Sequence, residues 1–333
     1  MPSEPIVICC AADEEYVMPL ATMVKSLLMN TSTHRSISLY LVDGGISEAS
    51  KQRLLDSWDT KRLTVNWLYL DTALFSDLPL WGRMKAITYY RLMMPEFLPR
   101  ALHKAIWLDS DMIIRGNVAE LWDIDLGDNG VLAVQDLVIP YVSSPSGISY
   151  YEDLRMTPDT KYFNAGVMVV NLDWWRQNDV ASRVFGYLRR YQNTVVFWDQ
   201  EGLNAVLVGK WGELDPRWNQ NASVCGRPFF TVEHLDTATY QQVVNDPWVV
   251  HFAGGWKPWI YHSHNPSHLL YYQYLDMTAW AGWRPQKTLK SIIMGIYDSS
   301  YRDLLYPLER WIFEFLRTRA LSKHTTKMKT PRT

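Results

Sequence analysis

Over the first hundred residues, short apolar runs alternate with segments of helical period, and this alternation constrains the fold more than any other feature. Ile6–Ala12 is an apolar run. Tyr16–Met29 places Val17, Leu20, Val24, Leu27 and Leu28 at helical spacing. Ile37–Val42 is rich in strand formers, Ala49–Trp58 is helical, and Leu63–Leu70 returns to strand. Strands separated by helices predict an α/β fold, a single Rossmann-like and mostly parallel sheet flanked by helices. Ligands of such sheets sit beyond the carboxyl ends of the strands. Three expected strands end in acid there: Ala12-Asp13, Leu108-Asp109 and Val134-Gln135-Asp136.

Further on, the pattern predicts an irregular stretch from Pro140 to Thr160 and a strand at Asn164–Leu172. Helices follow near Trp174–Tyr191 and Gln200–Val208, then a Trp-, Gly- and His-rich segment from Trp248 to His268. The irregular stretch reads equally as a mobile lid or a passive surface loop. With 47% hydrophobic and 20% charged residues among 333 and a net charge of −2, the chain is a folded globular protein. That balance excludes disorder, collagen-like repeats and a globally basic nucleic-acid binder, so no nucleic-acid partner is expected.

Three cysteines, two of them the adjacent Cys9 and Cys10, make neither a disulfide framework nor a thiolate zinc site. A reducing compartment, the cytoplasm, is the expectation. The N-terminus lacks a basic leader and reads as a buried first strand. No run of about 18 uncharged apolar residues predicts a membrane span.

Charge is distributed unevenly. From Arg284 to Thr333, 11 Lys/Arg against 4 Asp/Glu give +7 and leave −9 on residues 1–283. Leu308, Ile312, Phe315 and Leu316 lie at helical spacing beside Trp311, and Arg317, Arg319, Lys323, Lys327, Lys329 and Arg332 follow. Residues 284–333 therefore read as a basic amphipathic segment, either lying on the anionic inner face of the cell membrane or packed on its own domain with a solvated end.

Nucleotide motifs are negative: no G-x-G-x-x-G follows the first strand, and Gly202 to Gly209-Lys210 is not a phosphate-binding loop. Chemistry concentrates instead at Leu108-Asp109-Ser110-Asp111. Two neighbouring carboxylates repel unless a cation lies between them, and hard oxygen ligands suit Mg²⁺ or Mn²⁺ bound together with substrate phosphates. An acidic pair in an exposed turn is the plain alternative. His251-Phe252-Ala253-Gly254-Gly255-Trp256-Lys257 can bring an imidazole, backbone N–H groups and an ammonium to one diphosphate.

Seven motifs occur in one order: Ala11-Ala12-Asp13-x-x-Tyr16, Asp43-Gly44-Gly45-Ile46-Ser47-Glu48, Tyr90-Arg91-Leu92, Trp107-Leu108-Asp109-Ser110-Asp111, Phe163-Asn164-Ala165-Gly166-Val167, Asp199-Gln200-Glu201, and His251-x-x-Gly254-x-x-Lys257-Pro258-Trp259. Over roughly residues 6–280 this set resembles family 8 glycosyltransferases, the group of bacterial lipopolysaccharide galactosyl- and glucosyltransferases and glycogenin. The resemblance implies a GT-A fold over residues 1–283, a UDP-hexose donor, Mn²⁺ (or Mg²⁺), retention of anomeric configuration and a glycan or glycolipid acceptor. Carried over, Asp109, Asp111 and His251 are the metal ligands. Ala11, Asp13 and Tyr16 lie on the uracil side, Ser110 beside the ribose, and Gly254 and Lys257 cradle the diphosphate. Arg91, Asp136, Asn164, Asp199 and Gln200 fall around the transferred sugar, with Asp199 and Gln200 as the catalytic pair.

There are departures from the family. Glu15 replaces an Asn of some members and Ala253 a Cys, while Arg83 and Lys85 stand where His and Ser are common. They leave the choice of glucose, galactose or another hexose open. Asp199 is the only carboxylate these motifs offer a double displacement. Gln200 is a better dipole than nucleophile, which favours attack on the face from which UDP departs. Tyr141, Tyr150 and Tyr151, with the loop His262–His268, are expected on the acceptor side, and Trp81, Trp256 and Trp259 can stack on sugar. Two other classes are open to a chain of this pattern. One is a catalytically silent UDP-sugar or carbohydrate-binding module. The other is a sugar-phosphate nucleotidyltransferase, which the acidic Asp13-Glu14-Glu15 disfavours because such an enzyme needs a basic, glycine-rich loop there.

Overall fold

A computed structural model describes residues 4–31, 35–59, 61–69, 71–78, 86–224, 232, 234–254, 257–260, 266–289 and 291–292. Among them, seven strands form the main sheet: β1 (Ile6–Ala12), β2 (Ile37–Asp43), β3 (Leu63–Leu68), β4 (Lys104–Leu108), β6 (Val131–Gln135), β7 (Phe163–Asn171) and β8 (Trp211–Glu213). Their order across it is β3-β2-β1-β4-β7-β6-β8. Parallel pairing joins β3, β2, β1 and β4 and also β6 with β8; β7 runs antiparallel to both its neighbours. The expected mostly parallel α/β sheet is the observed one. β1 carries Ile6, Ile8, Cys9 and Cys10 fully buried, as a central strand covered on both faces requires.

A second sheet was not foreseen. β5 (Met112–Ile114), β9 (Gln220–Asn221) and β10 (Val249–His251) pair in the order β5-β10-β9. It is fastened to helix Val17–Asn30, which packs its Val17, Leu20, Val24 and Leu27 into the core. The Ile114 N–H donates to Ser26 Oγ at 2.9 Å and Asn30 Nδ2 donates to the Ile114 carbonyl at 2.9 Å. The residues linking β4 to β5, Asp109 to Asp111, therefore cross from one sheet to the other.

The irregular stretch after β6 is packed rather than splayed. Val142 and Ile148 are buried, the Ile148 N–H donates to the Val142 carbonyl at 2.9 Å, and Tyr150 stacks on Tyr191 with centroids 5.4 Å apart. At the other end of the described chain, Arg284 pairs with Asp276 at 2.6 Å and lies over the Tyr272 ring. The amphipathic segment Leu304–Arg317 and its basic continuation lie outside the described residues.

Candidate active site

The Asp109-Ser110-Asp111 link has neither sheet's full ladder to satisfy it, and it sits where β10 comes alongside. β10 pairs antiparallel with β5 so that His251 faces Met112, and the Phe252 N–H donates to the Asp111 carbonyl at 3.0 Å. This register places His251 Nε2 3.3 Å from Asp111 Oδ1 and 3.8 Å from Asp109 Oδ2. One donor atom from each of Asp109, Asp111 and His251 lies within 4.8 Å of the others.

Each carboxylate has compensation for its desolvation. Asp109 Oδ1 accepts from Trp107 Nε1 at 2.8 Å and faces Arg91 Nη2 at 2.9 Å. The Lys257 ammonium donates to Asp111 Oδ2 and, at 2.5 Å, to the Phe252 carbonyl. Burial opposes ionisation of Asp111, but the Lys257 ammonium and the His251 imidazole outweigh it and hold the carboxyl well below the usual carboxylate range. Two carboxylates and one imidazole converging from two sheets suit Mn²⁺ or Mg²⁺ with open positions for substrate oxygens. The donor set fits the metal that the sequence implies.

Arg91 connects this cluster to the start of β7. Its guanidinium faces Asp199 Oδ2 at 2.9 Å and donates to the Ala165 carbonyl at 2.7 Å. Burial drives the Asp199 carboxyl up to about 6, against the pull of Arg91 and with that of Asp109 adding to it. Gln200 is anchored at both ends of its amide: Oε1 accepts from the Ala165 N–H at 3.0 Å and Nε2 donates to Asp136 Oδ2 at 3.3 Å. Asp136 also accepts from Asn164 Nδ2 at 2.8 Å and, through Oδ1, from the N–H groups of Val138 and Ile139. The register shift between Ala133 and Val134, opposite β7, aims the end of β6 toward this hub.

At the end of β1, Asp13 Oδ1 accepts from the N–H groups of Glu15 and Tyr16 and so caps the short turn Glu14–Tyr16. The Tyr16 ring meets Trp259 edge-on, centroids 5.8 Å apart, and its hydroxyl is pushed up by burial and then by Asp111 and Asp13. Tyr16 therefore borders the acidic cluster. Ala11 is half-buried and Ser110 buried. Gly254 has φ of +81°, a left-handed backbone that glycine adopts without strain.

Of the residues expected from sequence, Asp109, Asp111, His251, Lys257, Arg91, Asp199, Gln200, Asp136 and Asn164 form one connected network, with Tyr16 at its border. His268 differs from expectation: it is buried in helix Pro266–Leu275 with its ring against Phe252, 5.9 Å between centroids. Trp81, Arg83, Lys85, Trp256, His262 and His264 lie outside the described residues.

Three contributors were not anticipated. Trp107 anchors Asp109, and its position two residues earlier on the same strand face was a readable signal. Gly166 leaves room for the imidazole, since a Cβ there would stand 2.5 Å from His251 Cε1. Asn219, whose Oδ1 lies 2.9 Å from His251 Nδ1, had no local signal and is delivered by the pairing of β9 with β10.

The chain is also similar to known proteins. Residues 7–263 match the model of Glycosyl transferase family 8. General stress protein A of Bacillus subtilis (strain 168) is 28% identical over 276 residues, covering 82% of this chain and 94% of that protein. A lipopolysaccharide 1,2-glucosyltransferase of Escherichia coli (strain K12) is 23% identical over 310 residues, 91% of this chain and 86% of its own. The crystal structure of galactosyltransferase LgtC with donor and acceptor sugar analogues superposes with a TM-score of 0.71 at 26% identity, covering 82% of this chain and 96% of that one.

Proposed function

Because the chain belongs to glycosyltransferase family 8 and has its GT-A fold, we propose that it moves a hexose from a UDP-hexose to a hydroxyl of a glycan or glycolipid, with retention of anomeric configuration. The observation that carries this reading is the convergence of Asp109, Asp111 and His251 beside the Lys257 ammonium. The kinship with a lipopolysaccharide glucosyltransferase and with LgtC supports a surface glycan as acceptor and glucose or galactose as the hexose.

Asp109, Asp111 and His251 are the residues to hold a divalent cation, Mn²⁺ or Mg²⁺. Such an ion, when bound, supplies Lewis-acid stabilisation of the charge that develops on the departing β-phosphate. Lys257 adds a fixed positive charge to the same diphosphate. Tyr16, bordering the cluster, offers an aromatic face to uracil, and Asp136 and Asn164 offer acceptors and donors to the hydroxyls of the sugar. Ala11, Asp13, Ser110 and Gly254 complete the nucleotide side.

Asp199 does not have the setting of a nucleophile. It is buried, faces Arg91 and, through that guanidinium, steadies Asp109. Gln200 is held by the Ala165 N–H and Asp136 in one orientation, as a fixed dipole for oxocarbenium character. The reaction that follows is attack on the leaving-group face. The acceptor oxygen forms the new bond to the anomeric carbon, the bond from that carbon to the phosphate oxygen breaks, and the acceptor proton passes to the departing phosphate.

Residues 1–283 are assigned to catalysis and 284–333 to contact with an anionic membrane surface on the cytoplasmic side. Among the described residues no helix is long and apolar enough to cross a membrane. The decisive experiment for the reaction type is NMR of the product formed from a UDP-hexose and a glycolipid acceptor. An α-linked product from the α-linked donor supports retention; a β-linked one rejects it.

A further inference from the structure

We propose that Asn219 is a positioning residue for His251, fixing the imidazole hydrogen on Nδ1 so that the Nε2 lone pair faces Asp109 and Asp111. This rests on the reading of that trio as a metal site.

The orientation of every amide in the chain of contacts follows from one backbone group. The Gly166 N–H can only donate, and it lies 2.9 Å from the oxygen of Asn164. Asn164 Oδ1 is therefore an acceptor, and its Nδ2 donates to Asp136 Oδ2, a carboxylate oxygen. Asn219 also meets Asn164 Oδ1, at 2.9 Å, and can do so only through its own Nδ2. That leaves Asn219 Oδ1 as the atom 2.9 Å from His251 Nδ1, and a carbonyl oxygen accepts. His251 Nδ1 must carry the hydrogen. Its Nε2 is the nitrogen turned toward Asp111 Oδ1, 3.3 Å away, and is the one left as ligand atom for a metal.

Burial makes the arrangement stringent. Asn219 is 3% and His251 4% exposed, so water does not readily replace a lost partner. Gly166 contributes twice: its N–H starts the relay, and its missing side chain gives the ring its place. The relay also reaches Asp136 and Gln200, so the sugar side of the site and the imidazole share one set of hydrogen bonds. A ligand imidazole whose second nitrogen is held in this way has its tautomer and ring plane set before the metal arrives.

The test uses the full chain without donor or acceptor. Long-range ¹H–¹⁵N spectra of His251 give the tautomer, and calorimetric titration with MnCl₂ gives the affinity, for the unaltered protein, Asn219→Leu and Asn219→Asp. The unaltered protein is expected to show the hydrogen on Nδ1. Asn219→Leu, which removes the acceptor, is expected to populate the Nε2–H tautomer and to bind Mn²⁺ about 10- to 100-fold more weakly. Asn219→Asp keeps an acceptor at Nδ1 while giving up the donor to Asn164 Oδ1, and is expected to retain the Nδ1–H and to bind Mn²⁺ more tightly than Asn219→Leu.

An Nδ1 that carries no hydrogen in the unaltered protein overturns the proposal without any variant, as does folded Asn219→Leu with unchanged Nδ1 protonation and affinity. If Asn219→Leu does not fold, the Nδ1 protonation of the unaltered protein decides. Absence of Mn²⁺ binding to the unaltered protein overturns the metal reading itself, whereas unchanged Mn²⁺ affinity in Asn219→Leu overturns the positioning role alone.

Discussion

Arg91 and Asp199 face each other at 2.9 Å in an ion pair whose carboxylate is 4% exposed. The same guanidinium reaches Asp109 at 2.9 Å and the Ala165 carbonyl at 2.7 Å. One rigid cation thus ties the start of helix Trp198–Val206 and the start of β7 to a carboxylate of the Asp109, Asp111 and His251 cluster. A lysine at this place is a point charge and cannot span three partners in fixed directions. Arg91→Lys is expected to lower Mn²⁺ affinity and turnover together, by about 10- to 100-fold, as calorimetry and UDP release would measure.

The Asp199 carboxyl, raised by burial to about 6 from an ordinary 3.8, makes a signed contribution to stability. Below about pH 4 folded and unfolded chains are both protonated at this group, and it contributes nothing to the difference. Between about 4 and 6 the unfolded chain releases the proton while the folded one retains it, so stability falls as pH rises, by on the order of 3 kcal/mol in full. The Asp199→Asn variant carries an amide there, which does not titrate. Urea unfolding of metal-free protein at several pH values should therefore show the stability of the unaltered protein falling relative to Asp199→Asn across that window. A flat difference would place the titration elsewhere.

Lys257 is a counter-ion of Asp111. Removing one partner of a buried pair leaves an uncompensated charge, worth about 3–5 kcal/mol of destabilisation. Lys257→Met is expected to lose that much without metal and to recover much of it when Mn²⁺ is added, because a divalent cation takes over the compensation. Thermal melts with EDTA and with MnCl₂ read this directly: the Mn²⁺-induced rise in Tm should be larger in the variant than in the unaltered protein.

Gln200 is held by the Ala165 N–H and by Asp136. Gln200→Ala is expected to lower kcat by about 100-fold, the size of effect seen when one fixed dipole at a developing charge is removed, with UDP-hexose affinity kept within about threefold. Unchanged turnover would remove Gln200 from the chemistry.

Much of the fold and of the site is legible in the sequence, for identifiable reasons. Strands β1 to β3 and their helices are long enough to show their periods, so the parallel half of the sheet and the acidic strand ends at Asp13 and Asp109 followed from pattern alone. The insertion of β7 between β4 and β6 did not, since a nine-residue apolar strand reads the same in either direction. The second sheet was hidden because its strands are two or three residues long, too short for any period to show. Asn219 was hidden with it: only the pairing of β9 with β10 brings that amide to His251. The Gly-, His- and Pro-rich segment before His268 predicts a loop there, yet His268 lies in the first turn of a helix and is buried.

The most direct test of the central claim is UDP release by the purified chain from UDP-glucose and UDP-galactose, with Mn²⁺, Mg²⁺ or EDTA, in parallel with Asp111→Ala. Donor hydrolysis should occur slowly even without the acceptor. Release from one donor that requires the divalent cation and disappears in Asp111→Ala is the predicted result. Release that persists in EDTA, or that Asp111→Ala leaves unchanged, would contradict a metal-dependent transferase built on Asp109, Asp111 and His251.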